Sequence, residues 1–130
     1  MWKFNSTAEY VDCCEKLNLS SVITEAIKRW AVSVGRISTN KQKRYFCSPR
    51  NVFEIWTARI PDPDTNTGSS GGFRLVYFLN ISDGSVYVDR IERRSNLGGK
   101  NERPRDQQRF TEYLENLKVY LLRELDGNAA

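Results

Sequence analysis

Two strand-like segments joined by the turn Ser82-Asp83-Gly84 constrain the fold of this chain more than any other feature. Residues 73–81 read FRLVYFLNI and residues 85–94 read SVYVDRIERR. Both segments are rich in β-branched and aromatic residues, which favour strands, and Asp-Gly is typical of a tight hairpin turn. The sequence therefore predicts a β-hairpin in this region.

Further elements are expected on both sides of the hairpin. Residues 2–4 suit a short strand, and two helices are predicted over STAEYVDCCEKLNL and SSVITEAIKRWAVSVG, joined by a short turn. Another strand matches NVFEIWTARI, and a last helix begins at Pro104 and ends before Gly127. The order is β-α-α-β-β-β-α. It predicts an α+β domain in which a helical hairpin and a C-terminal helix pack on a small antiparallel sheet.

The chain length of 130 residues suits a single domain that buries its own core. Within this domain, 1–130, we expect a core over residues 1–97, a basic loop over 98–103 and the C-terminal helix over 104–126. Residues 61–72, PDPDTNTGSSGG, are rich in turn formers and are expected to form a surface loop.

The chain has three cysteines and no histidine. Adjacent cysteines rarely pair and an odd count leaves one thiol free, which suits a reducing compartment. The lack of histidine excludes Ser-His and Cys-His nucleophile pairs, and three cysteines do not complete a zinc site. No apolar run is long enough to span a membrane, and the first residues do not resemble a signal peptide. We therefore expect a cytoplasmic protein without metal or cofactor.

Positive charge is concentrated in two segments. Between Arg36 and Arg50 there are five cations and no acid, and between Arg90 and Arg109 there are seven cations against three acids. Since the whole chain carries a net charge of only +4, the remainder is acidic. This distribution favours a polyanionic partner, nucleic acid first, although solvated basic loops give the same pattern.

Arg74 lies inside the first strand of the hairpin, among apolar residues. A guanidinium group stays charged, and its planar fork binds two phosphate oxygens at once. On alternation, Arg74 shares a face of the sheet with Val76 and Phe78, and this face can form an open groove if the helices cover the other one. The alternative is a salt bridge across the sheet to Glu54 or Glu92, which contributes little if it is exposed.

The residues around Arg74 resemble a known family. Gly72-Phe73-Arg74-Leu75-Val76-Tyr77 matches the core strand of the RelE/ParE superfamily of bacterial type II toxins, which reads Gly-Tyr/Phe-Arg-aliphatic-aliphatic-Tyr. The last strand of the family ends in a basic, serine-containing segment, to which Arg90-Ile91-Glu92-Arg93-Arg94-Ser95 is similar. The order of elements also agrees. The resemblance covers most of residues 1–97 and is strongest over 72–95.

The resemblance implies a toxin of a type II toxin–antitoxin system. RelE-type members cleave messenger RNA on the ribosome without metal, whereas ParE-type members share the fold and inhibit DNA gyrase. Both are neutralised by a cognate antitoxin. For this chain it implies a ribosome-dependent endoribonuclease (an mRNA interferase) whose partners are the antitoxin, the ribosome and mRNA. Gyrase inhibition and RNA binding without cleavage are the alternatives.

RNA cleavage adds negative charge to the phosphorane, which rigid cationic donors stabilise. Arg74 is therefore the first catalytic candidate, with Arg59 at the end of the preceding strand. Arg93 is placed where the family has a catalytic arginine, and the register leaves Arg90 and Arg94 as alternatives. KQKRYF, residues 41–46, interleaves cations with aromatics, which suits RNA binding through phosphate contacts and stacking, but this pattern is also typical of a solvated loop. The residues expected to bind RNA are Lys41, Lys43, Arg44, Arg90, Arg94 and Lys100.

The sequence also departs from the family. The positions that match the family's lysines, one of them proposed as general base, are Glu54 and Trp56, and the family's C-terminal tyrosine has no clear match after Ser95. Whether the protein is an enzyme therefore stays open. The replacements that the sequence offers are Lys41, Lys43 or Glu54 for the lysines and Tyr87 or Tyr113 for the tyrosine.

Overall fold

The structure is a computed structural model that describes residues 2–32, 42–60, 72–93 and 104–127. These ranges hold five strands and three helices. In chain order they are β1 (Lys3–Ser6), α1 (Ala8–Leu17), α2 (Ser21–Val32), β2 (Gln42–Cys47), β3 (Phe53–Ile60), β4 (Phe73–Asn80), β5 (Ser85–Arg93) and α3 (Pro104–Glu124).

The strands form one sheet in the order β1-β5-β4-β3-β2. The predicted α+β class is confirmed, with two differences. First, the sheet is mixed, because β1 runs parallel to β5 while all other neighbours are antiparallel. No short turn joins β1 to β5, so a hairpin does not dictate their direction. Second, β2 is an additional strand that covers most of KQKRYF, a segment for which the sequence offered RNA binding or a solvated loop but no strand. Its exposed cations are tolerated because it lies at the edge of the sheet.

Helices cover both faces of the sheet. The hairpin α1–α2 covers one face, called here the hairpin face, and α3 covers the opposite one, called the α3 face. The central strand β4 is buried along nearly its whole length. A strand that is covered on both faces reads as a continuous apolar run, which explains the sequence FRLVYFLN.

Each face has its own apolar core. On the hairpin face, Ile27 and Ala31 of α2 pack with Leu75 and Tyr77 of β4. On the α3 face, the buried residues are Phe53, Ile55, Val76, Phe78, Leu114 and Leu121. The arginine within β4 therefore faces α3, since it alternates with Leu75 and Tyr77 along the strand.

The predicted turn between β4 and β5 is confirmed in its sequence position. Gly84 adopts a φ of 71°, a left-handed conformation that favours glycine. The Asp83 carboxylate accepts a hydrogen bond from the amide of Ser85 at 3.0 Å, which stabilises the turn.

Two of the predicted loops are not covered by these ranges. Residues 61–71 of the loop that follows β3, and the basic loop over 98–103, lie outside the described residues. None of the helices in the described part of the chain combines the length and the apolarity that crossing a bilayer requires.

Candidate anion-binding site

A row of three charged residues crosses the sheet on the α3 face. In the register of β3, β4 and β5, Arg59 lies directly opposite Arg74, and Arg74 lies directly opposite Glu92. Directly opposite residues of antiparallel strands point to the same face. Two of the three arginines that were predicted to be catalytic are therefore neighbours on one side of the sheet.

A β-bulge places a further arginine beside this row, on the same face. Val76 pairs with Arg90 but Tyr77 pairs with Val88, so Asp89 is an extra residue on β5. The extra residue shifts the alternation, and Arg90 therefore points to the α3 face together with Glu92. Arg59, Arg74 and Arg90 are called here the arginine cluster.

The carboxylate of Glu92 joins two members of the cluster. Its Oε1 accepts hydrogen bonds from Nε of Arg74 at 2.7 Å and from Nη2 of the same side chain. Its Oε2 accepts a longer bond of 3.4 Å from Nε of Arg90. Nη1 of Arg90 also donates to Glu9 of α1 at 3.3 Å. The side chains of Arg74 and Glu92 are 24% and 27% exposed, so solvent reaches the pair.

Two aromatic residues of α3 lie over the cluster. The centroid of the Phe110 ring is 3.5 Å from Cζ of Arg74, and that of the Tyr113 ring is 4.8 Å from Cζ of Arg90. A cation over an aromatic face is stabilised by the ring quadrupole. The α3 face is consequently not the open groove that alternation suggested, because the first half of α3 lies on it.

Tyr113 also contacts the bulge. Its hydroxyl donates a hydrogen bond to Oδ2 of Asp89, whose residue is only 8% exposed. Burial, and then the negative charge of Asp89, raise the pKa of Tyr113 above its usual value. The hydroxyl therefore keeps its proton near neutral pH and serves as a donor. Tyr87, the other candidate for the missing family tyrosine, instead stacks on Phe78.

The remaining predicted residues divide between the two faces. Lys43 lies opposite Thr57 and so joins the α3 face, where it is exposed. Arg44 lies opposite Trp56 on the hairpin face and forms a 3.4 Å ion pair with Glu54. Arg93 lies opposite Phe73, and its Cζ is 4.7 Å from the ring of that residue, also on the hairpin face. Lys41, Arg94 and Lys100 lie outside the described residues.

Glu54, weighed above as a general base, is separated from Arg74 by the sheet. It alternates onto the hairpin face, where Nε1 of Trp56 donates to its Oε1 at 2.9 Å. The carboxylate that pairs with Arg74 is instead that of Glu92.

A cavity of about 310 Å³ opens next to the cluster, between β5 and the second half of α3. Its walls are mainly apolar and include Phe78, Tyr87 and Leu121, and its acids are Asp89 and Glu124. Because its charged groups are negative, this cavity does not suit a phosphate. In the described ranges, no three Cys, Asp or Glu side chains are grouped so as to hold a metal ion.

Comparisons with known proteins show a likeness at the level of the fold. No protein-family model and no curated protein sequence matches the chain. Among solved structures, the crystal structure of the archaeal RelE–RelB complex from Pyrococcus horikoshii OT3 is similar, with a TM-score of 0.51 and 11% sequence identity. The match covers 73% of this chain and 97% of the archaeal one.

This chain has the RelE fold. The resemblance stated from Gly72 to Ser95 is thereby confirmed as a likeness of fold. Within this RelE fold, the sequence predicted the position of Arg74 on the central strand, and its alternative for that side chain, a salt bridge to Glu92, is what the structure shows. The contacts of Phe110 and Tyr113 were missed. One signal of the bulge was present: the apolar residues Val86, Val88 and Ile91 break the period of two.

Proposed function

We propose that this protein is a RelE-type toxin of a type II toxin–antitoxin system, which acts in the cytoplasm and cleaves messenger RNA on the ribosome. The observation that carries the proposal is the arginine cluster. On a RelE fold, Arg59, Arg74 and Arg90 share one face of the sheet, with Lys43 on the same face at its edge. Four cations on one face suit a polyanion such as RNA.

The chemistry of RNA cleavage explains why arginines are suited to this place. Attack of the 2′-hydroxyl on the phosphorus gives a phosphorane with added negative charge. Positioned cationic donors stabilise that charge without reorganising, and this is usually the largest contribution to such a reaction. Arg74 is held by Glu92 on one side and by Phe110 above it, so its guanidinium is oriented before a substrate arrives.

The partners follow from the same proposal. The ribosome and mRNA are the proposed targets, and a cognate antitoxin is the proposed inhibitor. The archaeal protein of the same fold is seen in complex with RelB. Cleavage by this mechanism uses no metal ion, so it should persist in EDTA at concentrations that leave ribosomes intact.

Growth arrest tests the proposal. We expect induced expression of the protein in a bacterial host to stop growth, and Arg74→Ala to abolish the arrest. Arg74→Lys should be nearly as harmless, because a point charge does not reproduce the bidentate fork. Arg44→Ala is the matched control, since it removes the same charge from the hairpin face and should stay toxic. A harmless wild-type protein would exclude a toxin.

A second candidate function is inhibition of DNA gyrase, as in ParE-type toxins. It is favoured by the surroundings of Arg74, where the contacting carboxylate is engaged by two arginines and Tyr113 is a donor. Cleavage needs a proton acceptor for the 2′-hydroxyl, whereas gyrase inhibition does not. Growth arrest with intact mRNA and an induced DNA-damage response would favour this candidate. RNA binding without cleavage predicts neither effect.

A further inference from the structure

Glu92 occupies one of the two donor edges of Arg74 through which a phosphate can bind. Nε and Nη2 of Arg74 both donate to Oε1 of Glu92, and Oε2 is turned towards Arg90. Carboxylates and phosphates bind an arginine through the same planar fork. A phosphate that binds the Nε/Nη2 edge therefore competes with the Glu92 carboxylate for the same hydrogen-bond donors.

The position of Glu92 in the row explains its presence without a ligand. Arg59 and Arg74 are directly opposite each other on neighbouring strands, and like charges in this arrangement destabilise a sheet. Glu92 lies directly opposite Arg74 on its other side. Its negative charge offsets the repulsion and fixes the plane of the guanidinium beneath Phe110.

We propose that Glu92 is a built-in competitor for the phosphate site of this protein. A phosphate of RNA binds the arginine cluster by displacing the Glu92 carboxylate from Arg74, and Glu92 returns when the RNA leaves. Both side chains are partly exposed, so the exchange requires rotation of side chains and no opening of the sheet. The inference rests on the proposed function in one respect, because it takes RNA as the polyanion.

The test is the affinity of the purified full-length protein for a fluorescein-labelled single-stranded RNA oligonucleotide, measured by fluorescence anisotropy over a series of salt concentrations. Glu92→Gln keeps the shape of the side chain and removes its charge. Because a like-charged neighbour of the phosphate is lost, we expect the Kd to fall about tenfold. The slope of log K against log salt should stay close to that of wild type, because Arg74 forms the same phosphate contact in both proteins.

Two controls isolate the competition from net charge. Glu54→Gln removes the same charge from the hairpin face, and the Kd should stay within about twofold of wild type. In a protein that already carries Arg74→Gln, the further change Glu92→Gln should lose most of its effect on the Kd, because the guanidinium for which Glu92 and the phosphate compete is gone. Glu92→Thr, a neutral strand former, is a second replacement and should tighten binding like Glu92→Gln.

An unchanged or higher Kd in folded Glu92→Gln overturns the inference, as does an equal gain in Glu54→Gln. The growth assay separates this outcome from a failure of the proposed function. Growth arrest that depends on Arg74, without tighter binding in the Glu92 variants, removes the competitor and leaves the toxin. Tighter binding in a protein that is harmless to cells keeps the competitor and removes the toxin.

Discussion

The ring of Phe110 lies against the guanidinium group of Arg74, with 3.5 Å between its centroid and Cζ. This contact connects the first half of α3 to the centre of the arginine cluster. In the proposed function, an RNA phosphate and α3 therefore contact the same side chain. The packing of α3 on the sheet and the binding of a polyanion are consequently coupled through Arg74.

Phe110→Ala tests how much this contact contributes to the packing of α3. The change removes a half-buried ring and its contact with a cation, so the free energy of unfolding should fall by about 2 kcal/mol. Urea unfolding followed by far-UV circular dichroism measures it. Phe110→Leu keeps most of the apolar area and should cost about 1 kcal/mol. If Phe110→Ala is as stable as wild type, α3 does not depend on this contact.

The division of cations between the two faces gives a second prediction. Arg90→Ala should weaken binding of single-stranded RNA and reduce the salt slope by about 0.7, because one phosphate contact is lost. Arg93→Ala removes the same charge three residues later, on the hairpin face, and should leave the slope unchanged. Fluorescence anisotropy of the labelled oligonucleotide compares them. The reverse ranking would place the RNA site on the hairpin face.

The hairpin that carries Arg90 and Arg93 was predictable from the sequence only in part. The strands 73–80 and 85–93 and the turn between them were predictable, since propensity, alternation and Asp83-Gly84 all indicate the same hairpin. The face of the sheet on which the side chains after Val88 lie was not predictable. A bulge adds one residue, so every later side chain changes face. Arg90 therefore joins the cluster, while Arg93, the first choice from the family resemblance, lies on the hairpin face.

Two other features depended on the tertiary structure. β2 carries Lys43 and Arg44, whose charges suggest a loop, and only its place at the edge of the sheet makes them compatible with a strand. The cover that Phe110 forms over Arg74 joins residues far apart in the chain. Local patterns predict the apolar stripe of α3 but give no information on which face of the sheet it covers.

The dependence of stability on pH in alkaline solution gives a third prediction. The hydroxyl of Tyr45 donates a hydrogen bond to Glu115 of α3, and burial and this bond raise the pKa of Tyr45 to about 12. In the unfolded chain a tyrosine ionises near pH 10. The stability that the neutral hydroxyl contributes is therefore complete below pH 10 and is lost as the pH rises from about 10 to 12. Tyr10, Tyr77 and Tyr113 have raised pKa values for the same first reason, burial.

Tyr45→Phe isolates one of these tyrosines from the lysines, which also titrate in alkali. The difference in unfolding free energy between wild type and variant should be constant at neutral pH and shrink above pH 10. The difference should also shrink in acid. Hydrogen bonds from Tyr45 and Lys118 lower the pKa of Glu115. The stability that the ionised carboxylate contributes is therefore lost as the pH falls below about 4.3 and Glu115 is protonated. Urea unfolding across pH measures both limbs, and a difference independent of pH would exclude the bond.

The residues that follow α3 give a fourth prediction, because an ion pair between Arg50 and Asp126 connects them to the β2–β3 turn. Nε of Arg50 lies 2.9 Å from Oδ1 of Asp126, whose side chain is only 1% exposed, while that of Arg50 is 65% exposed. Arg50→Ala leaves a buried carboxylate without its cation and should lower the free energy of unfolding by about 2 kcal/mol. Arg44→Ala breaks a more exposed pair and should cost less than about 1 kcal/mol. Adding Asp126→Asn to Arg50→Ala should restore part of the lost free energy of unfolding. Urea unfolding measures all of these variants. Equal costs for Arg50→Ala and Arg44→Ala would mean that burial of Asp126 has no energetic consequence.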